Sequence, residues 1–357
     1  MSKKILVINP GSTSIKLAYY LDKECLVSSD IEYKEKKEFA SVDEEVNDRL
    51  VYVENFIEDN NIEETDALAC RGGLVYGLRP GAYLVDEKLE LALKDERYSS
   101  FHASNLGGLL GKKIAEEKNI NAYIYDAVTS GELSEVAEIT GLKEIKRRSF
   151  SHILNSRAMA YKYAEDIGRK YEDLNLIVAH LGSGVSMSVH KKGHVIDTLG
   201  DHDGQFSPER AGCLPSLDLI KLCYSGKYDY KAMHKMIRGN GGMKAHLGTG
   251  DCRIIEKMIE EGNKEAELVF KAEAYQIAKS IGLLSVSLKG DCDAVILTGG
   301  MAYSEKMTEM IKEYVSYIGK VAVMPGQKET EALAYGILRV LNKEEEARLY
   351  DFSMAER

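Results

Sequence analysis

The sequence has no tryptophan, only five prolines and no apolar run long enough to cross a membrane as a helix. The opening Met1-Ser2-Lys3-Lys4 leads directly into a short apolar segment, which is not the pattern of a secretory signal. These absences predict a cytoplasmic protein without a membrane partner.

The six cysteines form no Cys-x-x-Cys pair, and no cluster of cysteine and histidine has the spacing of metal ligands. In a chain of 357 residues this usage predicts reduced, mostly buried thiols of a cytosolic protein. The formal net charge of −10 argues against nucleic acid as a partner. The length exceeds what one core normally accommodates, so two domains are expected.

A strand–turn–strand pattern occupies residues 4–20. An apolar run ends at Asn9, a Pro10-Gly11-Ser12-Thr13 turn follows, and apolar residues then alternate at Ile15, Leu17 and Tyr19. Backbone N–H groups in such a turn can converge on an anion. The turn lacks the Gly-Lys-Ser/Thr ending of a Walker loop, and its glycine does not open a helix as in a dinucleotide fingerprint.

The same pattern returns at residues 176–184, with His180 in the place of Asn9 and Gly182 in the place of Gly11. Two such units predict a duplicated domain. A third glycine turn, Gly299-Gly300, follows another apolar run.

Polar side chains stand at the ends of three predicted strands, namely Asn9, Arg71 and Asp126. Ligands of α/β sheets gather outside the carboxyl ends of strands, so the three residues are expected to share one crevice. Each could instead be an ordinary loop residue. His152, which opens a helix, could equally be a satisfied core histidine.

Three helices are predicted in the second half of the chain, one of which starts at about Ser304 after the third glycine turn. Residues 264–288 form a long helix with Leu268, Tyr275, Ile281 and Leu284 among its buried positions, and residues 329–341 form the last helix.

Taken together, these motifs resemble the acetokinase family, and most closely its butyrate branch, within the acetate and sugar kinase, heat-shock chaperone and actin superfamily. The resemblance runs from about residue 4 to 341. The segments that carry it are 8–16, 71–74 with 80–81, 180–184, 191–193, 206–210, 297–300 and 331–334. Lys191-Lys192-Gly193 and Ser207-Pro208-Glu209-Arg210 are its most specific parts.

The resemblance implies an α/β protein with two duplicated actin-like (ribonuclease H-like) domains that flank a central cleft. The expected domains are residues 1–150 and 151–326, the second binding nucleotide, with residues 327–357 packing back on the first. The implied reaction is transfer of the ATP γ-phosphoryl group to a short-chain carboxylate such as butyrate, giving an acyl phosphate and ADP, with Mg²⁺. The alternatives are acetate or propionate as substrate, or a nucleotide-gated scaffold. A homo-oligomer is expected.

The resemblance also assigns site residues. It implies catalytic roles for Arg71, Asp126, His152, His180 and Arg210. Nucleotide or phosphate contacts are implied for Asn9, Gly11, Ser12, Ser14, Lys16, Gly182, Ser183, Gly184, Gly299 and Gly300. Asn9 and Glu329 would lie near the metal, with Glu331 as the alternative to Glu329.

Two departures from the family pattern leave questions open. Leu214-Pro215-Ser216 stands near the place of a second family arginine, so Arg210 is the candidate for that role. Ala127-Val128-Thr129-Ser130 also differs from the family's usual loop after the aspartate, which affects the expected acyl pocket.

A kinase acting on a sugar or glycerol hydroxyl is the rival with the same fold. That reaction needs a general base, whereas a carboxylate is already ionised. The predicted arginines and histidines therefore favour a carboxylate. A chaperone- or actin-like scaffold would carry a peptide-binding appendage or large insertions, which the sequence does not show.

Overall fold

The computed structural model describes residues 2–33 and 37–356, which divide into two compact units. Unit 1 contains the chain up to Gly131 together with the segment from Lys328 onward, and unit 2 is Glu132–Gln327. The domain boundary predicted at residues 150 and 151 lies further along the chain than this change of unit.

The elements follow one another in chain order. Up to Gly131 they are β1 (Lys4–Pro10), β2 (Ser14–Leu21), β3 (Glu24–Glu32), α1 (Val42–Asp59), β4 (Ala67–Arg71), β5 (Leu74–Val75), β6 (Ala82–Leu84), α2 (Glu87–Lys94), β7 (Ser99–Ser100), α3 (Asn105–Lys118) and β8 (Asn121–Tyr125). Unit 2 contains α4 (Glu135–Glu138), α5 (Ile153–Asp166), β9 (Asn175–Leu181), β10 (Val185–Lys191), β11 (His194–Leu199), α6 (Ser216–Cys223), α7 (Tyr230–Ile237), α8 (Gly242–Leu247), α9 (Cys252–Glu260), α10 (Lys264–Ser285), β12 (Ala294–Gly299), α11 (Glu305–Val315) and β13 (Lys320–Pro325). The chain then returns to unit 1 with α12 (Glu329–Leu341), which packs against β1 and β4.

The two main sheets share one topology. The sheet of unit 1 has the order β3-β2-β1-β4-β8-β6, and that of unit 2 has the order β11-β10-β9-β12-β13. In each, three antiparallel strands are followed by two strands parallel to the third, so that β9 corresponds to β1 and β12 to β4. The sheet of unit 1 has the additional antiparallel edge strand β6. The prediction of duplicated α/β domains is confirmed.

The central strand β9 is buried along its whole length, and successive side chains point to opposite faces. Ile177, Ala179 and Leu181 pack in a core cluster with α10, whereas Leu176 and Val178 pack in another with α5. His180 has the same parity as Leu176 and Val178, so it points to the α5 face. This alternation positions the histidine of the candidate site.

The burial expected for α10 is partly wrong. In α10, Ile281 and Leu284 are buried as predicted, but Leu268 is 68% and Tyr275 48% exposed. The helix buries a stripe through Ala266, Phe270 and Ile277, and residues 268 and 275 lie on the opposite side because 3.6 residues make one turn.

All six cysteines are free thiols, but Cys25, Cys213 and Cys223 are exposed. The expectation of mostly buried thiols is therefore also wrong. Across the described ranges, no helix combines the length and the apolar character needed to cross a membrane.

Candidate functional site

The predicted residues Asn9, Arg71 and Asp126 lie at one edge of the unit 1 sheet. Strands β1, β4 and β8 are adjacent and parallel, with Ile8 beside Cys70 and Arg71 beside Tyr125. The ends of the three strands are therefore in register, and the polar residues that terminate them lie side by side.

Glu329, the first residue of α12, lies at the same edge of the sheet. Asn9 Nδ2 donates to Glu329 Oε2 at 2.9 Å, and Arg71 Nη1 donates to Glu329 Oε1 at 3.0 Å. Lys16 Nζ lies 3.9 Å from Oε2, because Lys16 is the cross-strand partner of Asn9 and shares its face. Glu331, the alternative metal residue, pairs with Lys328 at 3.0 Å. The structure thus brings Glu329 to Asn9.

The Arg71 backbone is fixed by the start of α3. A Cβ atom on Gly107 would lie 2.7 Å from the Arg71 carbonyl oxygen, so only a glycine permits this approach. Asn105, which is fully buried, accepts a hydrogen bond on Oδ1 from Leu74 N at 2.9 Å and also occupies the space beside Gly73. Asn105 was not among the residues predicted from the sequence. Its only signal was an amide at the start of a helix whose first two turns are otherwise apolar.

The side chain of Asp126 is hydrogen-bonded to a neighbouring turn. Its Oδ1 accepts from Gly81 N at 2.7 Å, its backbone is left-handed with φ of 46°, and its side chain is buried. The carboxylate thus stabilises the turn at Pro80-Gly81, and it lies at the same sheet edge as Arg71.

The first glycine turn lies between β1 and β2. Gly11 N donates to Ser14 O at 2.7 Å, which closes the turn, and Ser12 between them is exposed. The turn therefore presents its tip to solvent.

In unit 2, the rings of His152 and His180 stack at 4.0 Å with an angle of 14° between their planes. His180 lies on β9, and its cross-strand partner Ser186 places Oγ 2.7 Å from His152 Nδ1. Asn155, in the first turn of α5, places Nδ2 2.9 Å from His180 Nδ1. The structure thus brings together two histidines that the sequence places 28 residues apart.

The second glycine turn, Gly182-Ser183-Gly184, lies directly against polar side chains. A Cβ atom on Gly182 would lie 3.1 Å from His180 Nε2, and one on Gly184 would lie 3.1 Å from Asp201 Oδ2. The Ser183 carbonyl oxygen accepts from Ser207 Oγ at 2.8 Å and from Glu209 N at 3.1 Å. The Ser-Pro-Glu-Arg segment is therefore fixed to this turn.

Arg210 reaches the same turn through Asp201. Arg210 Nε and Arg238 Nη2 each lie 3.2 Å from Asp201 Oδ2, and His202 Nδ1 lies 3.3 Å from Oδ1. Burial raises the pKa of Asp201, but the hydrogen bond from His202 and the charges of Arg238 and Arg210 outweigh it and hold the pKa well below its usual range. Neither Asp201 nor Arg238 was among the residues predicted from the sequence. The signal for Asp201 was the charged Asp201-His202-Asp203 run after β11, and Arg238 had no comparable signal.

The third glycine turn contains two glycines with different surroundings. Gly299 has φ of 90° and ψ of −179°, a conformation that only glycine adopts readily, and a Cβ there would overlap the Leu181 carbonyl. A Cβ on Gly300 would meet no atom within 4 Å. Gly299 is thus required by packing, whereas Gly300 leaves the backbone open.

The residues implied near a metal offer few ligands. Within the described part of the chain, no group of three His, Cys, Asp or Glu side chains could hold a metal ion. The Glu329 carboxylate and the Asn9 amide oxygen are hard oxygen donors, as Mg²⁺ prefers, and this ion commonly keeps several waters beside one or two carboxylates. The donor set therefore fits Mg²⁺ held partly through water.

Comparison with known proteins identifies the family. The model of the acetokinase family matches residues 141–344. The chain is 44% identical over 97% of its length to the probable butyrate kinase 2 of Caldanaerobacter subterraneus subsp. tengcongensis, covering 99% of that protein. It is 42% identical to butyrate kinase 2 of Clostridium acetobutylicum, covering 98% of this chain and 100% of the relative. The crystal structure of Porphyromonas gingivalis acetate kinase superposes with a TM-score of 0.77 at 19% identity, over 95% of this chain and 100% of that one, which shows the fold. The chain belongs to the acetokinase family.

Proposed function

We propose that this chain is a butyrate kinase, which transfers the γ-phosphoryl group of ATP to the carboxylate of butyrate or a similar short-chain acid. The two relatives described above carry the name butyrate kinase, and each aligns over nearly its whole length. The same enzyme would catalyse the reverse reaction, which forms ATP from acyl phosphate and ADP.

The observation that carries this proposal is that the carboxylates near the candidate residues already accept hydrogen bonds. Glu329 is hydrogen-bonded to Arg71, Asp126 to the backbone of Gly81, and Asp201 to Arg210 and Arg238. A carboxylate whose oxygens accept hydrogen bonds from cations or backbone N–H groups is already engaged and is poorly placed to take a proton from a substrate hydroxyl. An acceptor substrate that is already ionised requires no base, whereas a sugar hydroxyl does. The hydrogen bonding of these carboxylates, within each unit, thus favours a carboxylate substrate over a sugar.

The chemistry needs charge stabilisation rather than a covalent nucleophile. An oxygen of the substrate carboxylate forms a bond to the γ-phosphorus, while the bond from that phosphorus to the β–γ bridging oxygen breaks and ADP leaves with the electron pair. The moving group stays anionic throughout, so positioned donors supply most of the catalysis.

The proposed roles follow from donor type. The planar fork of Arg71 suits a carboxylate or the phosphoryl oxygens. His152 and His180 donate to oxygens of the transferred group. Arg210 supplies the second arginine of the family, and Asp126 maintains the loop beside Arg71.

Phosphate contacts are assigned to the two glycine turns, at Gly11, Ser12 and Ser14 with Lys16 and at Gly182, Ser183 and Gly184. Gly299 and Gly300 allow the backbone to approach the adenosine, and the open space at Gly300 supports this assignment. Asn9 and Glu329 would hold Mg²⁺ with the help of water. The ion would supply positive charge to the phosphate oxygens.

Three finer points complete the proposal. The acid preferred is butyrate, with isobutyrate or another short acid next, and acetate or propionate as the alternative. The protein acts in the cytoplasm, which fits its free thiols. It assembles as a homo-oligomer. Exposed apolar side chains on α6, such as Leu217 and Ile220, could be buried in the interface between subunits.

Trapping of the acyl phosphate with hydroxylamine tests the proposal directly. Purified protein is incubated with ATP, Mg²⁺ and hydroxylamine plus acetate, propionate, butyrate or isobutyrate, and the hydroxamate is measured. We expect the highest kcat/KM with butyrate. Absence of hydroxamate from every acid would refute the kinase assignment, and a higher kcat/KM with acetate would transfer it to the alternative.

A further inference from the structure

We infer that Asn155 and Thr298 are positioning residues that hold His180 as the tautomer with its proton on Nε2. No role was assigned to either residue above. The catalytic consequence of this inference rests on the proposed function, whereas the tautomer itself follows from the hydrogen bonds alone.

The direction of each proton is set by the carbonyl of Gly326, which can only accept. Thr298 Oγ1 donates its single proton to Gly326 O at 3.0 Å. Thr298 Oγ1 must then act as acceptor toward Asn155, whose Nδ2 lies 3.3 Å away. The second proton on Asn155 Nδ2 is directed to His180 Nδ1 at 2.9 Å. We call this series, from Gly326 through Thr298 and Asn155 to His180, the His180 hydrogen-bond chain.

The opposite orientation of the Asn155 amide is less favourable. As placed, only Asn155 Oδ1 is buried without a hydrogen-bond partner within the described residues. Turning the amide over would direct the oxygen at Thr298 and leave both N–H bonds of a 4% exposed side chain in the orphan position. A buried amide has two donors to satisfy, and leaving both unpaired costs more than leaving one acceptor unpaired. The amide orientation, and therefore the acceptor role of His180 Nδ1, is determined by this difference.

The proton of a neutral His180 consequently resides on Nε2. That nitrogen is the one beside the second glycine turn, since a Cβ on Gly182 would lie 3.1 Å from it. With the proton on Nε2, the ring can donate a hydrogen bond toward the turn. With the proton on Nδ1, Nε2 would present a lone pair to the turn, and a lone pair repels phosphate oxygens. The tautomer decides whether His180 can stabilise the transferred group.

His152, whose ring stacks on that of His180, is held as the same tautomer. Ser186 Oγ accepts from His152 N and from Ser151 Oγ, each at 3.1 Å. The proton of Ser186 is therefore available for His152 Nδ1, 2.7 Å away. Both stacked rings then carry their proton on Nε2, so both can donate.

The His180 hydrogen-bond chain begins at a carbonyl that is also bonded to the third glycine turn. Gly326 O accepts from Gly299 N at 3.1 Å as well as from Thr298. The same carbonyl thus supports the third glycine turn, assigned above to adenosine, and the catalytic histidine.

Side-chain ¹⁵N NMR of the histidines in the ligand-free protein tests the inference without any assay of activity. His180 is identified by the loss of its signals in His180→Gln. In the wild type we expect Nδ1 to give the shift of an unprotonated nitrogen and Nε2 that of a protonated one. In Asn155→Asp the new carboxylate can only accept, so His180 Nδ1 should become protonated.

His190 serves as an internal reference in the same spectra. It is fully buried, with Tyr171 Oη 2.7 Å from Nδ1 and Ser188 Oγ 2.8 Å from Nε2. Burial lowers the pKa of His190 to about 3, so it stays neutral. Unchanged His190 signals show that a variant is folded.

Kinetics give a second readout. Asn155→Asp should reduce kcat by roughly 10²–10³, as for loss of one transition-state donor, with a much smaller change in the KM for ATP. Thr298→Val should show mixed tautomers and reduced kcat, and the conservative Thr298→Ser should restore both.

The outcomes separate the two proposals. A protonated Nδ1 on wild-type His180 would overturn the inference, even if Asn155→Asp did not fold. An unprotonated Nδ1 in folded Asn155→Asp would overturn it too. The expected NMR pattern in a protein that forms no hydroxamate would support the His180 hydrogen-bond chain while refuting the kinase assignment.

Discussion

Arg71 Nη1 donates a hydrogen bond to Glu329 Oε1 at 3.0 Å, although 258 residues separate the two in the chain. Arg71 ends a central parallel strand, and Glu329 begins the helix that packs on that strand. The carboxylate balances the charge of the guanidinium and orients it at the sheet edge. The guanidinium is thereby held without an uncompensated charge, as the proposed role of Arg71 in binding an anion requires.

Removal of the Arg71 side chain should abolish most activity and leave the fold intact. Arg71→Ala is expected to lower kcat by roughly 10²–10³, because one donor to the transferred group or substrate carboxylate is lost. Glu329 keeps Asn9 and Lys16 as neighbours, so the melting temperature should change little.

The matched control for Arg71→Ala is Arg97→Ala, since Arg97 is exposed and pairs locally with Asp95 in the same unit. It should retain wild-type turnover in the hydroxamate assay. Loss of cooperative melting in Arg71→Ala would instead assign Arg71 a structural role.

Exchange of the two candidate metal glutamates for glutamine should separate them. Glu329→Gln is expected to raise the Mg²⁺ concentration needed for half-maximal activity and to lower kcat, since the only carboxylate bonded to Asn9 in the described chain is removed. Glu331→Gln loses an ion pair with Lys328 that is partly exposed, and such pairs contribute little. Titration of both variants with Mg²⁺ measures the difference. A larger effect in Glu331→Gln would reverse the assignment.

Glu273 on α10 should make stability depend on pH. It is fully buried, and neither carboxyl oxygen has a hydrogen-bond partner within the described residues. Burial raises the pKa of Glu273 well above its ordinary value. At pH values between the unfolded pKa, about 4.3, and the raised folded pKa, the folded state holds a proton that the unfolded state has released. The free energy of unfolding should therefore fall as pH rises through this window.

Glu273→Gln removes this titration, so its free energy of unfolding should depend less on pH. Urea unfolding at several pH values from about 5 to 8 covers part of the window. Glu265→Gln, at an exposed position in the first turn of the same helix, should keep the wild-type slope. Equal slopes for the wild type and Glu273→Gln would contradict the prediction.

Local patterns in the sequence were sufficient for the repeated glycine turns and for the last helix. Apolar runs ending at Asn9 and His180 predict buried strands, because a central strand must be apolar on both faces. The last helix spans Glu329–Leu341, as its periodicity indicated. In α10 the same reasoning misplaced Leu268 and Tyr275, because a helix with apolar residues on several faces does not reveal which face meets the sheet.

The sequence by itself determined the α/β class and its duplication, because turns, strands and helix periods are local properties of the chain, and its motifs carried the resemblance to the acetokinase family. Only the tertiary structure decided which polar side chains meet: Glu329 rather than Glu331 beside Asn9, Asp201 between two arginines, and Asn155 between Thr298 and His180. Such pairs join segments that are remote in sequence, and strand order, register and the parity of each side chain bring them together. A hydrogen bond depends on those distances to within a few tenths of an ångström, which no local pattern contains.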